Sequence, residues 1–261
     1  MKLLEGKKGI ILGLANANSI AWHIANNCHK HGATLGFGHF PGDKMARRVS
    51  KAMEEGGYAG AWMAPCDVAS DESIEQFFSA ARAKFDTIDF LVHSIAFADH
   101  TFLKREYGVF TSTPREVYKQ ACDISAYSLI AVTRAAIPMM PAGGSVVALS
   151  YYGAEKVIPG YNVMGVAKAA LEATARYLAF DLGNKNIRVN CVSAGPIRTL
   201  SAMAVGGIDE MFDHTIKKAP LHRNVEGDEV GKTAAYLLSD LSSGVTGETI
   251  YVDSGFNIVG L

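Results

Sequence analysis

Short apolar runs rich in Val and Ile recur along this chain at Gly9–Gly13, Thr34–Gly38, Gly60–Ala64, Phe90–Ile95, Ser145–Ser150, Arg188–Ser193 and Thr249–Val252. Stretches of helical periodicity lie between them: Ser19–His31, Asp43–Glu55, Asp71–Phe85, Arg115–Ile137, Val163–Leu182 and Asp228–Leu238. Strands that are apolar on both faces need cover on both faces. The alternation therefore predicts an α/β fold, a seven-stranded parallel sheet flanked by helices on each side. No Pro/Ser/Gly-rich linker, repeat or charge block divides the 261 residues, so residues 1–261 read as one doubly wound domain.

The charge balance narrows the function. A net charge of −1 speaks against nucleic acid, which selects a basic excess. Hydrophobic residues make up 49% of the chain, enough for a sizeable core, but nowhere form the run of ~20 that a membrane span needs. The apolar excess is assigned to core or subunit interface. Cys28, Cys66, Cys122 and Cys191 are too widely spaced for a metal-type pair, so no metal site is expected and a reducing cytoplasm fits. The opening MKLLEGKKGIILGL lacks an apolar core followed by a small-residue cleavage site, and a mature cytoplasmic protein is expected.

In a doubly wound sheet, ligands sit beyond the carboxyl ends of the strands. Two post-strand segments are long, Phe97–Pro114 and Pro196–Pro220. Segments of that length are commonly functional. The second, about residues 196–220, reads as a substrate-binding loop or lid, with Gly206-Gly207 as a hinge before an amphipathic Ile208–Lys218. After the first strand, Gly13-Leu14-Ala15-Asn16-Ala17-Asn18-Ser19-Ile20 keeps one glycine of a dinucleotide fingerprint. Gly13 permits a tight turn, Ala15 is small, and Asn18 or Ser19 can cap a helix whose N-terminus suits a pyrophosphate. An ordinary strand–turn–helix joint reads the same way. After the second strand, His39-Phe40-Pro41 offers neither an acid for a ribose 2′-hydroxyl nor an Arg for a 2′-phosphate. Phe40 can stack on adenine, His39 is a weak phosphate partner, and Arg47 and Arg48 fall on a solvated helix. NADH is favoured over NADPH. Asp67, after the third strand, is either an adenine acceptor or a turn residue.

The segment Leu149–Lys168 holds two competing Tyr/Lys pairs. Tyr152 and Lys156 have Y-x-x-x-K spacing, but Tyr152 abuts the strand end and Pro159-Gly160 closes the region as a loop. Tyr161 and Lys168 are seven residues apart, nearly two helical turns, with Asn162 read as the cap of the helix that follows. They can face one side of it. A Lys near a tyrosyl hydroxyl would lower its pKa and make it a better donor to a developing oxyanion.

Ser150–Lys168 resembles the signature of bacterial enoyl-acyl-carrier-protein reductases, a branch of the short-chain dehydrogenase/reductase superfamily. In that branch the catalytic Tyr and Lys are separated by six residues and a second Tyr precedes the first by ten, here Tyr161, Lys168 and Tyr151. Asn18-Ser19-Ile20-Ala21, Cys66-Asp67-Val68, His93–Ala98, Asp123-Ile124-Ser125, Ser193–Thr199 and Val252–Phe256 agree, so the resemblance spans the chain. It implies a Rossmann-type domain, NADH as cofactor, an enoyl thioester on acyl carrier protein as substrate, and a homotetramer. It gives Tyr161 a hydrogen bond to the thioester oxygen, Lys168 the nicotinamide ribose, and Tyr151 a place beside the thioester. By the same resemblance Gly13, Ala15, Ser19, Ile20, Asp67, Val68, Ser94, Ile95, Ala96, Ala194, Pro196, Ile197 and Thr199 line the cofactor. Phe97, Ala98, Met164 and Met211 border the acyl pocket, although gap-filling explains the two methionines as well. Ala96 stands where the family commonly has Gly. The acidic carrier would dock on basic residues, with Lys217, Lys218, His222 and Arg223 as candidates. A carbonyl reductase using Tyr152 and Lys156, or a non-catalytic dinucleotide-binding protein, are the alternatives.

Overall fold

The computed structural model describes residues 2–199, 202 and 208–260. Among them seven strands pair in parallel: β1 (Lys8–Leu12), β2 (Thr34–His39), β3 (Trp62–Pro65), β4 (Phe90–His93), β5 (Gly144–Ser150), β6 (Ile187–Ala194) and β7 (Thr249–Val252). Their order in the sheet is β3-β2-β1-β4-β5-β6-β7. The chain starts at β1, winds outward to β3, then returns to β4 on the other side of β1. The winding direction therefore switches between β1 and β4, where a crevice opens at the strand ends.

Helices α1 (Ile20–Lys30) and α2 (Asp43–Glu55) cover one face, and α3 (Asp71–Phe85) the other. Helix α4 (Arg115–Cys122) leads into α5 (Ser128–Ala136), and α6 (Asn162–Leu182) follows β5. Past β6 come α7 (Ile208–Lys218) and α8 (Gly227–Leu238). Two cores result. On one face, Ile24 and Cys28 of α1, Val49 of α2 and Val230 of α8 pack on Ile11, Phe37 and Val92. On the other, Phe77 of α3, Leu129 of α5 and Leu171 of α6 pack on Ile10, Leu91 and Val146. Alternate residues of β4 go to opposite cores, Phe90 and Val92 to one and Leu91 to the other, which is why the strand is apolar up to its last residue, His93.

Two local features differ from the sequence expectation, and a third lies outside the described residues. The single helix expected over Arg115–Ile137 is broken by a π-helical segment, Asp123–Tyr127. Within it the Ser125 hydroxyl bonds both the N–H and the C=O of Phe97, at 3.0 and 3.2 Å, and Ser128 Oγ donates back to Ile124 O at 2.6 Å. Serine hydroxyls that compete for backbone groups in this way bend a helix. Asn162 does not cap α6. It adopts φ +42, and its side-chain amide donates to Phe102 O and Lys104 O, both at 2.9 Å. Asn tolerates that left-handed region better than most residues. Gly206 and Gly207 lie outside the described residues.

Candidate active site

Gly13 directly follows β1 with φ +97, and a Cβ built there would lie 2.0 Å from Ser94 O. The exits of β1 and β4 thus cross in contact, at the point where the sheet switches direction. Gly13→Ala must both strain its φ and push Ser94 away. The expected outcome is a loss of about 1–3 kcal/mol in urea unfolding together with weakened NADH binding. Ser19 caps α1: its hydroxyl accepts from Trp22 N at 3.3 Å and donates to Asn16 O at 2.7 Å. The first N–H groups of α1 then face the crevice with the positive end of the helix dipole.

The crevice is a cavity of about 500 Å³ that collects the ends of the strands. Gly13, Ala15, Ser19 and Ile20 line it from the β1 exit, and Ser94, Ile95, Ala96, Phe97 and Ala98 from the β4 exit. Tyr151, Tyr161, Met164 and Lys168 come from β5 and α6, Ala194, Pro196, Ile197 and Thr199 from the β6 exit, and Met211 from α7. Phe40, Asp67 and Val68 are not among its walls. Phe40 is 60% exposed beyond β2. Asp67 Oδ1 accepts from Ala69 N at 3.0 Å, the turn role, and Val68 packs on the α3-side core. His39 is buried with Nδ1 2.9 Å from its neighbour's carbonyl, Phe40 O.

Tyr161 and Lys168 reach this cavity from the first two turns of α6. Gly153 and Gly165 make room for Tyr161: a Cβ on Gly153 would lie 2.4 Å from its ring, and one on Gly165 would lie 2.8 Å from Gly153 O. Tyr151 packs edge-on against Tyr161, with centroids 4.8 Å apart. No hydrogen bond occupies the Tyr161 hydroxyl among the described residues. Burial raises its pKa, with a smaller contribution from Tyr151. The lowering by Lys168 expected from sequence is not found, because desolvation dominates and the Lys168 ammonium is turned to Leu149 O at 2.5 Å. Tyr161 is therefore protonated at neutral pH, a donor rather than a phenolate. Burial likewise brings the Tyr151 hydroxyl up to about 12. Lys168 is only 5% exposed, and burial draws its ammonium down to about 8.

These placements coincide with a known family. The enoyl-(acyl carrier protein) reductase family model matches residues 13–257. The chain belongs to that family. It is 48% identical over 260 residues to an enoyl-[acyl-carrier-protein] reductase [NADH] of Synechocystis sp., covering 99% of each chain. It is 50% identical to one of Rhizobium meliloti, covering 99% of this chain and 93% of the relative. The Bacillus cereus reductase solved with NADP+ and an indole naphthyridinone superposes with a TM-score of 0.95 at 46% identity, each chain fully covered. The Anaplasma phagocytophilum reductase solved with NAD gives 0.93 at 43%, covering 99% and 97%.

In this enoyl reductase several site features lie outside the sequence reading. His100, Leu103 and Ser150 also line the cavity. Behind it, Ser150 Oγ donates to the buried Glu172 at 2.5 Å, one turn past Lys168. Burial raises the Glu172 carboxyl, and burial pushes the Cys191 thiol up to about 12, so Cys191 brings no charge to Lys168. The reductase's α7 is tied down by its acidic first turn: Asp209 pairs with Arg198 at 2.8 Å, and Glu210 with Arg105. Tyr151 Oη lies 3.9 Å from Met211 Sδ. The competing pair, Tyr152 and Lys156, lines a second cavity of about 740 Å³, where Tyr152 Oη donates to Asn257 O at 3.2 Å. Arg223 is held by two bonds to Glu229 at 2.7 and 2.8 Å, whereas Lys217 and Lys218 are exposed.

The residues present fit a nicotinamide dinucleotide. Gly13 cannot carry a side chain, α1 points its N-terminus at the crevice, and a buried ammonium stands at the far end. Among the described residues no three His, Cys, Asp or Glu side chains gather as a metal site, and no helix is long and apolar enough to cross a membrane.

Proposed function

We propose that this reductase adds a hydride from NADH to C3 of a trans-2-enoyl thioester borne by acyl carrier protein, with the proton at C2 completing a saturated acyl thioester. That is the last step of the type II fatty-acid elongation cycle. The observation that carries it is the single cavity joining Gly13, at the dinucleotide end, to Tyr161 and Lys168. Bound there, NADH supplies the hydride. The protonated Tyr161 hydroxyl donates to the thioester oxygen as that oxygen takes enolate charge, a contact of the kind worth ~2.7–4 kcal/mol. Lys168 holds the nicotinamide ribose and lends positive charge. Tyr151 lies beside the thioester, its ring steadying that of Tyr161. Phe97, Ala98, Met164 and Met211 give the acyl chain apolar walls, and α7, with Pro196–Thr199 after β6, forms the lid that keeps water out.

Gly13, Ala15, Ser19, Ile20, Ser94, Ile95, Ala96, Ala194, Pro196, Ile197 and Thr199 form the cofactor walls in this reading. Phe40, Asp67 and Val68 take the adenine end beyond the cavity. The absence of an Arg in Phe40-Pro41-Gly42 supports NADH over NADPH. The exposed Lys217 and Lys218 meet the acidic carrier. Homotetramer formation accounts for Tyr177 and Phe180 of α6, 79% and 89% exposed, which need cover. A cytoplasmic location accords with four free thiols.

Consumption of NADH with a crotonyl thioester, compared with an acetoacetyl thioester, tests the reaction. Oxidation with the enoyl substrate alone is expected, and oxidation with the keto substrate alone refutes it. A pH dependence also follows. Lys168 is cationic below about 8 and neutral above it, with Glu172 opposing the fall and burial driving it. NADH affinity, measured by fluorescence titration, is expected to be level up to pH 7 and to decline through pH 8–9. An unchanged Kd up to pH 9.5 contradicts the role of Lys168.

A further inference from the structure

Leu12, His93, Ala148, Cys191 and Thr249 stand side by side on five neighbouring strands. Residues in one register row share a face of the sheet. Leu12, Ala148 and Cys191 belong to the core under α3, α5 and α6, so His93 projects there too. Lys168 of α6 is buried and donates to the carbonyl of Leu149, the residue after Ala148 of this row, at 2.5 Å.

His93 is fully buried, and Nε2 is 2.7 Å from Ser128 Oγ of α5. Ser128 has one hydroxyl hydrogen, and it goes to Ile124 O at 2.6 Å. Nε2–H must therefore donate to Ser128, which leaves Nδ1 as a bare acceptor. Burial, with Lys168 adding to it, lowers the imidazole to about 3, so the ring stays neutral. Nδ1 is buried and has no hydrogen-bond partner among the described residues. An ammonium has three donors, and Leu149 O takes one from Lys168. The buried carboxylate on the same helix as Lys168, Glu172, is held by Ser150.

We propose that His93 is a positioning residue for Lys168: through one buried water, its Nδ1 accepts a hydrogen bond relayed from the ammonium. Leu149 O then fixes one donor and His93 a second, and the third is aimed at the cofactor. The π-helical segment sets this up, since Ile124 O orients Ser128, Ser128 selects the tautomer, and the tautomer presents the acceptor. The inference rests on the reading of Lys168 as the residue that holds the cofactor.

Two substitutions separate positioning from structure. His93→Asn places an acceptor near Nδ1 and gives up Ser128, while His93→Gln reaches Ser128 and lacks the acceptor. NADH titration by fluorescence is expected to show affinity about tenfold weaker in His93→Gln and within about twofold of wild type in His93→Asn. The reverse order assigns His93 a structural role through Ser128 and overturns the proposal, as does wild-type affinity in both. Nitrogen NMR of histidine-labelled wild-type protein needs no variant. Nδ1 is expected to be unprotonated and hydrogen-bonded, moving toward a free acceptor in Lys168→Met, and a protonated Nδ1 overturns the proposal. If Lys168→Ala itself binds NADH normally, the cofactor role of Lys168 fails. If Lys168→Ala weakens binding and His93→Gln does not, only the positioning role fails.

Discussion

Lys168→Met is expected to bind NADH about 10- to 100-fold more weakly than wild type and yet to unfold at a higher temperature. Both effects come from one fact, the burial of an ammonium at 5% exposure. Its fall from 10.5 to about 8 corresponds to about 3 kcal/mol of desolvation carried by the folded protein. A charged hydrogen bond to a ligand is worth ~1.5–3 kcal/mol, so losing the one Lys168 donor aimed at the cofactor accounts for the drop in affinity. Met is nearly isosteric and removes the buried charge, although Leu149 O loses its donor. A net gain of about 1 kcal/mol, or ~2–4 °C in Tm, is the expected balance. The pH dependence has a definite sign. The native Lys168 pKa is depressed, so its penalty is fully present below about 8 and is relieved as pH rises from there to 10.5. Wild type should gain stability across that window relative to Lys168→Met. Differential scanning calorimetry at pH 7 and pH 9.5 measures the difference, and a destabilised variant at pH 7 contradicts this account of the burial.

Tyr161→Phe is expected to lower kcat by about 10²–10³ while leaving the NADH Kd within about twofold. The hydroxyl has no hydrogen bond to lose among the described residues, and the ring contacts with Tyr151 and Gly153 remain. The fold should therefore be unperturbed and the loss confined to the reacting complex, where a donor to the forming enolate oxygen disappears. Tyr151→Phe, whose hydroxyl reaches only Met211 Sδ, should cost far less. Stopped-flow NADH oxidation with an enoyl thioester measures both. Equal losses in the two variants would move the donor role away from Tyr161 alone.

The fold was legible because hydrophobic periodicity is a local signal. Each of the seven apolar runs became a strand, and β3 shifted only from Gly60–Ala64 to Trp62–Pro65. The expected Tyr161 and Lys168 do share one cavity, since spacing along a helix determines which side chains align. What stayed hidden depends on partners distant in sequence. Nothing near Asn162 announces that its amide will bond Phe102 and Lys104, and nothing near Ser125 announces Phe97. Those long-range bonds turn a cap into a tether and a straight helix into a π-helical one. The tyrosyl pKa went the other way from expectation because burial, invisible in a linear motif, outweighs a neighbouring charge whose donor is aimed at Leu149 O. The tethering of α7 through Arg105 and Arg198 likewise needed the fold to bring opposite charges together.

The most direct measurement is the fate of the hydride. NADH deuterated at the transferred position is mixed with a trans-2-enoyl thioester, and the product is read by mass spectrometry and NMR. The account predicts one deuterium at C3 of a saturated acyl thioester, with solvent hydrogen at C2. A label at C2, or a label found only on the carbinol carbon of a product made from a 3-oxoacyl thioester, would contradict it.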